Sequence, residues 1–228
     1  EVRFGQQLGD SVVKKLAQTV TKMKNFFLFP LIFTFFIGQT QNPLLSEDYS
    51  KQNRWVDSIY NKLDLEEKIG QLITVWVATK YGEDEIKHIS KLVEDYKLGG
   101  LIFSLGDIKS QAKAINKFQK QSKVPLLISM DAEWGIGMRL DDAFSFPYNM
   151  TLGAIENDSL IYQVGKRIGF HAKRLGVQIN FAPVVDINTN PANPIIGFRS
   201  FGEDKYNVSN KALNYLNWKP NLNFDEVC

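Results

Sequence analysis

The sequence predicts an α/β fold: a parallel sheet covered by helices. Three observations carry it. Short apolar runs rich in β-branched residues recur along the chain after about residue 50. Stretches with helical spacing separate them. The runs are apolar at consecutive positions rather than at alternate ones, as expected of strands buried on both faces.

The elements follow in order. In "LDLEEKIGQLI", Asp64 is placed to cap a helix, with Glu67 three residues on as its capping-box partner. "LITVWVA" (72–78) reads as the first strand. Residues 83–96 place Ile86, Ile89, Val93 and Tyr96 on one helical stripe. "GGLIFS" (99–104) is the second strand. Asp107 can cap the next helix, with Ile108, Ala112, Ile115 and Gln119 along one side. "VPLLISM" (124–130) is the third strand. The longest helix is 158–175, with Ile161, Val164, Ile168, Ala172 and Leu175 inward. "VQINFAPVVD" (177–186) is the fourth strand, and a further helix runs from about Asp204 to Leu216.

Two architectures satisfy this alternation, a (β/α)₈ barrel and an open doubly wound sheet. No Gly-x-Gly-x-x-Gly follows any strand, which weakens a dinucleotide-binding reading. A full barrel takes about 250 residues, and only about 170 are available here. The domain is therefore expected to be incomplete.

Composition excludes several functions. The chain of 228 residues is 44% hydrophobic and 23% charged, an ordinary globular balance. A net charge of +2, with cations scattered among acids, gives no nucleic-acid footprint. The only cysteine is Cys228 and the only histidines are His88 and His171, far apart. No disulfide framework, metal centre or cofactor is expected.

The N-terminal end has its own character. From Met23, a lysine precedes an uncharged apolar run, Phe26 to Gly38, followed by small and polar residues. That is the layout of a secretory signal peptide over 23–42, and 13 residues are short for a membrane span. A buried core helix is the alternative. Residues 1–22 then read as upstream read-through ahead of a natural start at Met23. An exported protein, periplasmic or extracellular, with no stable membrane span in its mature form, is expected.

Asp131 and Asp186 close the third and fourth apolar runs. In both architectures ligands bind beyond the carboxyl ends of the strands, so both acids sit where aimed polar groups are useful. Trp134 adds an aromatic plane. Carboxylates accept paired sugar hydroxyls, and an indole covers apolar C–H faces. The long loop "NPIIGFRSFGED" (193–204) brings Arg199, flanked in sequence by Phe198 and Phe201, to the same face. Structural roles compete with these. An aspartate after a strand can cap a helix. Glu133 can pair with Arg139, Trp134 can pack in the core, and Arg199 can pair with Glu203 or Asp204.

The motifs "GGLIFS", "ISMDAEWGIGMRL", "FPYNMTLGAI", "INFAPVVDIN" and "NPIIGFRSFGED", in that order, resemble the N-terminal barrel domain of glycoside hydrolase family 3. The form "IIGFRSFGED" resembles the β-N-acetylhexosaminidase branch. The resemblance implies a partial barrel domain over about 50–216 and a retaining hydrolase that removes terminal β-linked N-acetylglucosamine from an oligosaccharide or glycoside. A β-glucosidase, or a barrel that binds amino sugars without cleaving them, is the alternative. It implies that Asp131 binds sugar hydroxyls, and that Arg139 and Arg199 contribute to the pocket. Asp186 and Trp134 are supporting; the family often has glycine where Trp134 stands.

No catalytic residue is identified. The family's Lys-His-Phe-Pro-Gly-His-Gly motif and its late aspartate nucleophile are expected beyond residue 228, so the fragment itself is expected to be inactive. The tail from 217 departs from the pattern. "LNWKPNLNFDEVC" is similar to the end of nucleotide-sugar epimerases, but no Gly-rich nucleotide motif accompanies it.

Overall fold

The computed structural model describes residues 49–217. The expected read-through, signal peptide and atypical tail fall outside the described residues, apart from Asn217. The chain divides into two compact units, residues 1–57 and 58–228. Of the first, only the start of helix α1 (Tyr49–Tyr60) is described, and α1 buries no residue.

The second unit alternates as its periodicity requires. Helix α2 (Leu65–Gly70) leads to β1 (Thr74–Val77), α3 (Glu83–Tyr96), β2 (Gly100–Phe103), α4 (Ile108–Gln121) and β3 (Leu127–Met130). A short helix α5 (Asn149–Gly153) and the long α6 (Asp158–Leu175) precede β4 (Ile179–Asn180), and α7 (Lys205–Leu216) closes the unit. The four strands pair in sequence order, all parallel, with Val77, Phe103, Met130 and Asn180 at matching positions of neighbouring strands.

Local chemistry fixes the helix starts. The Asp64–Glu67 capping box is formed: the Glu67 amide donates to Asp64 at 2.8 Å and the Asp64 amide to Glu67 at 3.3 Å. Asp107 accepts from the Ser110 amide at 2.9 Å and Asp204 from the Asn207 amide at 2.8 Å, each satisfying a first-turn donor. Helix α6 has the expected limits and buries Ile161, Ile168, Ala172 and Leu175, with Val164 half-buried.

Other expectations are corrected. Tyr96 lies outside the buried stripe of α3, which is Ile89, Ser90 and Val93. Helix α4 is rotated from the expected phase and buries Gln111, Ala114, Ile115 and Phe118, sharing only Ile115 with the stripe read from sequence. Phe118 is the largest apolar group on the helix, and its complete burial sets the phase. Gln119 instead holds the chain entering β3, with its amide and carbonyl bonded to the backbone of Leu126 at 2.9 and 3.0 Å. Strand β4 is two residues rather than ten. Pro183 has no N–H for the ladder, and regular pairing stops just before it.

The two faces of the sheet differ. Side chains alternate along a strand. Val77, Leu101, Phe103, Ile128 and Met130 point into a core shared with Ile89, Phe118 and Leu175 from the helices. The opposite positions include Trp76, Leu127 and Ile179, which are exposed. The expected burial of both faces is therefore met on one side only among the described residues. A second core, formed by Leu152, Ile161, Ile168, Phe201, Val208, Ala212 and Tyr215, joins α5, α6 and α7 to the loop carrying Arg199.

Candidate sugar-binding site

The site is built from the two segments that leave β3 and β4 at their carboxyl ends. After Met130 the chain passes Asp131, Ala132, Glu133 and Trp134 and turns at Gly135. There φ is 93°, in the left-handed region that favours glycine. The short turn Ile136–Met138 follows and delivers Arg139 back beneath Asp131. Asn180 of β4 braces this segment, its side-chain carbonyl accepting from the Ala132 amide at 2.9 Å. The Asp141 amide then donates to the Gly106 carbonyl at 3.0 Å, pinning the segment to the loop after β2.

Arg139 is held by the aspartate it was expected to accompany. Its Nε donates to the Asp131 carbonyl at 2.9 Å and its Nη2 to the Asp131 carboxylate at 3.0 Å. Only Oδ2 of Asp131 is in this pair, and the Asp131 side chain is 40% exposed. The second carboxylate oxygen is thus positioned to accept from a ligand hydroxyl.

Arg199 reaches the same rim from the other segment. Its loop is fixed at several points. The Asn188 amide donates to the Gly202 carbonyl at 3.0 Å, and the Ser200 hydroxyl to the Asp186 carbonyl at 2.5 Å. The buried Asn149 side chain of α5 donates to the Arg199 carbonyl at 2.8 Å. The guanidinium meets Glu133. Nε lies 3.1 and 3.0 Å from the two carboxylate oxygens, and Nη2 lies 2.7 Å from Oε1. Hydrogen bonds donated by Arg199 to the Glu133 carboxylate raise the Arg199 pKa above the usual arginine value against the opposing effect of burial, and the charges of Glu133, Asp186 and Asp131 add to it. Asp131 and Asp186 are therefore within electrostatic reach of Arg199.

These pairings correct two alternatives. Glu133 binds Arg199, 66 positions away, and not Arg139. Arg199 binds Glu133 and not Glu203 or Asp204; Asp204 caps α7. Nor is Arg199 sandwiched by its sequence neighbours. Phe201 is buried in the second core beside Tyr215, whose ring lies 6.5 Å away. Phe198 joins Trp134 and Tyr148 in an aromatic cluster, with ring centroids 6.3 Å from Trp134 and 4.4 Å from Tyr148. Trp134 meets Tyr148 edge-on at 4.8 Å. Phe198 and Tyr148 are exposed and Trp134 half-buried, so the cluster offers aromatic surface at the rim. Sequence reasoning missed Tyr148. The "FPYNM" segment that carries it gives no periodic or pairing signal of its own.

Asp131, Arg139, Arg199, Asp186 and Trp134 therefore all lie on the segments leaving the carboxyl ends of β3 and β4. A separate apolar groove of about 590 Å³, lined by Ile69, Ile73, Val75, Leu92 and Leu98, sits at the amino end of the sheet. Among the described residues no group of His, Cys, Asp and Glu is arranged to hold a metal ion, and no helix is long and apolar enough to cross a membrane.

Comparison with known proteins places this arrangement. The chain is 35% identical over 138 residues to a beta-hexosaminidase A of Pseudoalteromonas piscicida, covering 55% of this chain and 23% of that protein. It is 30% identical over 162 residues to a beta-N-acetylglucosaminidase/beta-glucosidase of Cellulomonas fimi, covering 71% and 28%. The chain thus spans about a quarter of the length of these relatives. Among solved structures, a glycoside hydrolase family 3 beta-N-acetylglucosaminidase from Paenibacillus sp. superposes with a TM-score of 0.60 at 34% identity, over 68% of this chain and 30% of that one. A beta-glucoside phosphorylase bound to 2FGlc gives 0.68 at 27% identity, over 75% and 30%. The family model described as the glycosyl hydrolase family 3 N terminal domain matches residues 64–217, from the cap of α2 to the end of α7, and the chain belongs to that family.

Proposed function

We propose that this chain carries the sugar-recognition part of an exported, retaining β-N-acetylhexosaminidase acting on terminal β-linked N-acetylglucosamine. The observation that carries the reading is the pair of guanidinium–carboxylate units, Arg139–Asp131 and Arg199–Glu133, at the carboxyl ends of adjacent parallel strands. Each leaves polar groups partly exposed beside an aromatic surface, the combination a sugar ring requires. The names of one relative and one structural neighbour favour the hexosaminidase branch over the β-glucosidase one, while a second relative's name carries both activities. Export rests on the Met23–Asn42 segment; recovery of the protein only from the cytoplasmic fraction of producing cells would overturn it.

The exposed sheet face with Trp76, Leu127 and Ile179 supports reading the four strands as an arc of an eight-stranded barrel, whose second face is filled by inward side chains from all strands. Hydrolysis with retention needs a carboxylate nucleophile and a proton donor flanking the anomeric carbon, about 5 Å apart. Asp131 and Glu133 are each bonded to a guanidinium, which makes them poor candidates for either task. In this reading the described residues hold the sugar, and other groups break the bond.

Calorimetric titration tests both halves. The chain is expected to bind N-acetylglucosamine more tightly than glucose. Asp131→Asn is expected to weaken that binding about tenfold or more, since a charge-assisted hydrogen bond contributes about 1.5–3 kcal/mol. A chromogenic N-acetylglucosaminide, with or without inorganic phosphate, is expected to show no turnover above blank. Equal affinity for the two sugars would favour the β-glucosidase reading, and turnover by the pure chain would overturn the division of labour.

A further inference from the structure

In the recognition scheme above Glu133 enters only as the partner of Arg199, yet it is the most enclosed charge at the site. Its side chain is 5% exposed, whereas Arg199, its partner, is 31% exposed. A carboxylate so placed at the tip of a strand is costly unless it is paired and well bonded. The Arg199 guanidinium supplies that pairing from a loop 66 positions away.

The geometry decides which donors of Arg199 remain. A guanidinium has five N–H groups, one on Nε and two on each terminal nitrogen. The Nε group and one on Nη2 face Glu133, and one on Nη1 lies 3.3 Å from the Ile195 carbonyl. Two N–H groups are left, one on each terminal nitrogen. The one on Nη2 lies at the end of the fork, pointing away from the carboxylate.

Glu133 is enclosed on the backbone side as well. The buried Tyr215 hydroxyl of α7 lies 3.5 Å from the Glu133 carbonyl, and the Glu133 amide lies 3.4 Å from the Met138 sulfur. The carboxylate therefore sits on a strand tip held by the second core, while the arginine it grips sits on a loop.

We propose that Glu133 is a positioning residue: it clamps the 193–204 loop to the tip of β3 and turns the terminal nitrogens of Arg199 toward the sugar. The proposal rests on the reading that Arg199 contacts sugar. The clamp can be measured without any sugar, so the two can fail separately.

The test uses the full chain with Glu133→Gln, which keeps the shape and removes the charge, and Glu133→Asp, which keeps the charge on a shorter stem. Amide hydrogen exchange is followed by mass spectrometry, and N-acetylglucosamine affinity by calorimetry. In Glu133→Gln, amides of residues 193–204 are expected to exchange about tenfold faster or more, while those of β2 and β3 are unchanged. Sugar affinity is expected to fall about tenfold or more, because a misdirected donor pair is a lost donor pair. Glu133→Asp is expected to lie between, and serves alone if the glutamine variant does not fold. Unchanged loop exchange overturns the proposal. Faster loop exchange with undiminished affinity also overturns it, since the clamp would then not direct Arg199. A wild-type chain that binds no sugar, with a loop loosened by Glu133→Gln, leaves the clamp standing and overturns the recognition reading instead.

Discussion

Arg199→Ala is expected to destabilise the fold by about 3 kcal/mol and to abolish sugar binding. Removing one member of a buried pair leaves the other as an uncompensated charge, which costs about 3–5 kcal/mol. The lower end applies because Arg199 is partly exposed and water can enter where the guanidinium stood. Urea denaturation followed by tryptophan fluorescence measures the loss. The pairing also makes a non-additive prediction. Replacing both residues, Glu133→Met with Arg199→Met, removes both charges at once and is expected to cost less than Arg199→Ala alone. Sugar binding should be lost in both. If the double variant is the less stable, the ion pair is not what holds the loop.

Gly153→Ala is expected to cost about 3 kcal/mol and to dislodge the same loop. Helix propensity alone predicts the opposite sign, a gain of about 1 kcal/mol for alanine over glycine. Packing overrules it. A Cβ at position 153 would lie 1.8 Å from the Phe201 carbonyl oxygen and 2.6 Å from its carbon. Both atoms are backbone, so no rotamer change relieves the clash and α5 and the loop must separate. Phe201 is two residues from Arg199 and fully buried in the second core, so the displacement carries to the site. A lower thermal midpoint together with weakened N-acetylglucosamine binding is the expected result. A stabilised variant would show that the loop is not seated on α5.

The sequence was informative where the cause of structure is local. The limits of α6, the Asp64–Glu67 capping box and the Asp107 and Asp204 caps follow from residues within a few positions of one another. The tip of β3 carrying Asp131 was equally legible, because an apolar run ending in an acid is visible without knowing what packs on it; Asp186, read as the end of the fourth strand, lies in the loop beyond the two residues of β4. The phase of α4 was not. Its stripe depends on Phe118 finding the sheet, which is a property of the assembled layers.

The pairing at the site was the least legible part. Two acids, Asp131 and Glu133, and two arginines, Arg139 and Arg199, allow either assignment by charge alone. The structure chooses by chain path. The turn through Gly135 returns Arg139 to Asp131, while the buried position of Glu133 faces the incoming loop. Likewise, Phe198 and Phe201 flank Arg199 in sequence but part in space, one to the rim and one to the core. Sequence motifs named residues that gather at one rim; the turn at Gly135 and the seat of the loop on α5 set the bonds between them.

Asp131, Arg139 and Arg199 are expected to serve one sugar-binding site. A crystal structure of the chain soaked with N-acetylglucosamine tests it most directly. The expected result is a sugar ring at the carboxyl ends of β3 and β4, with one hydroxyl on the free Asp131 oxygen and another on the terminal nitrogens of Arg199. A sugar seated instead in the apolar groove beside Ile73 and Leu98, or an empty rim with Arg199 swung away from Glu133, would contradict it.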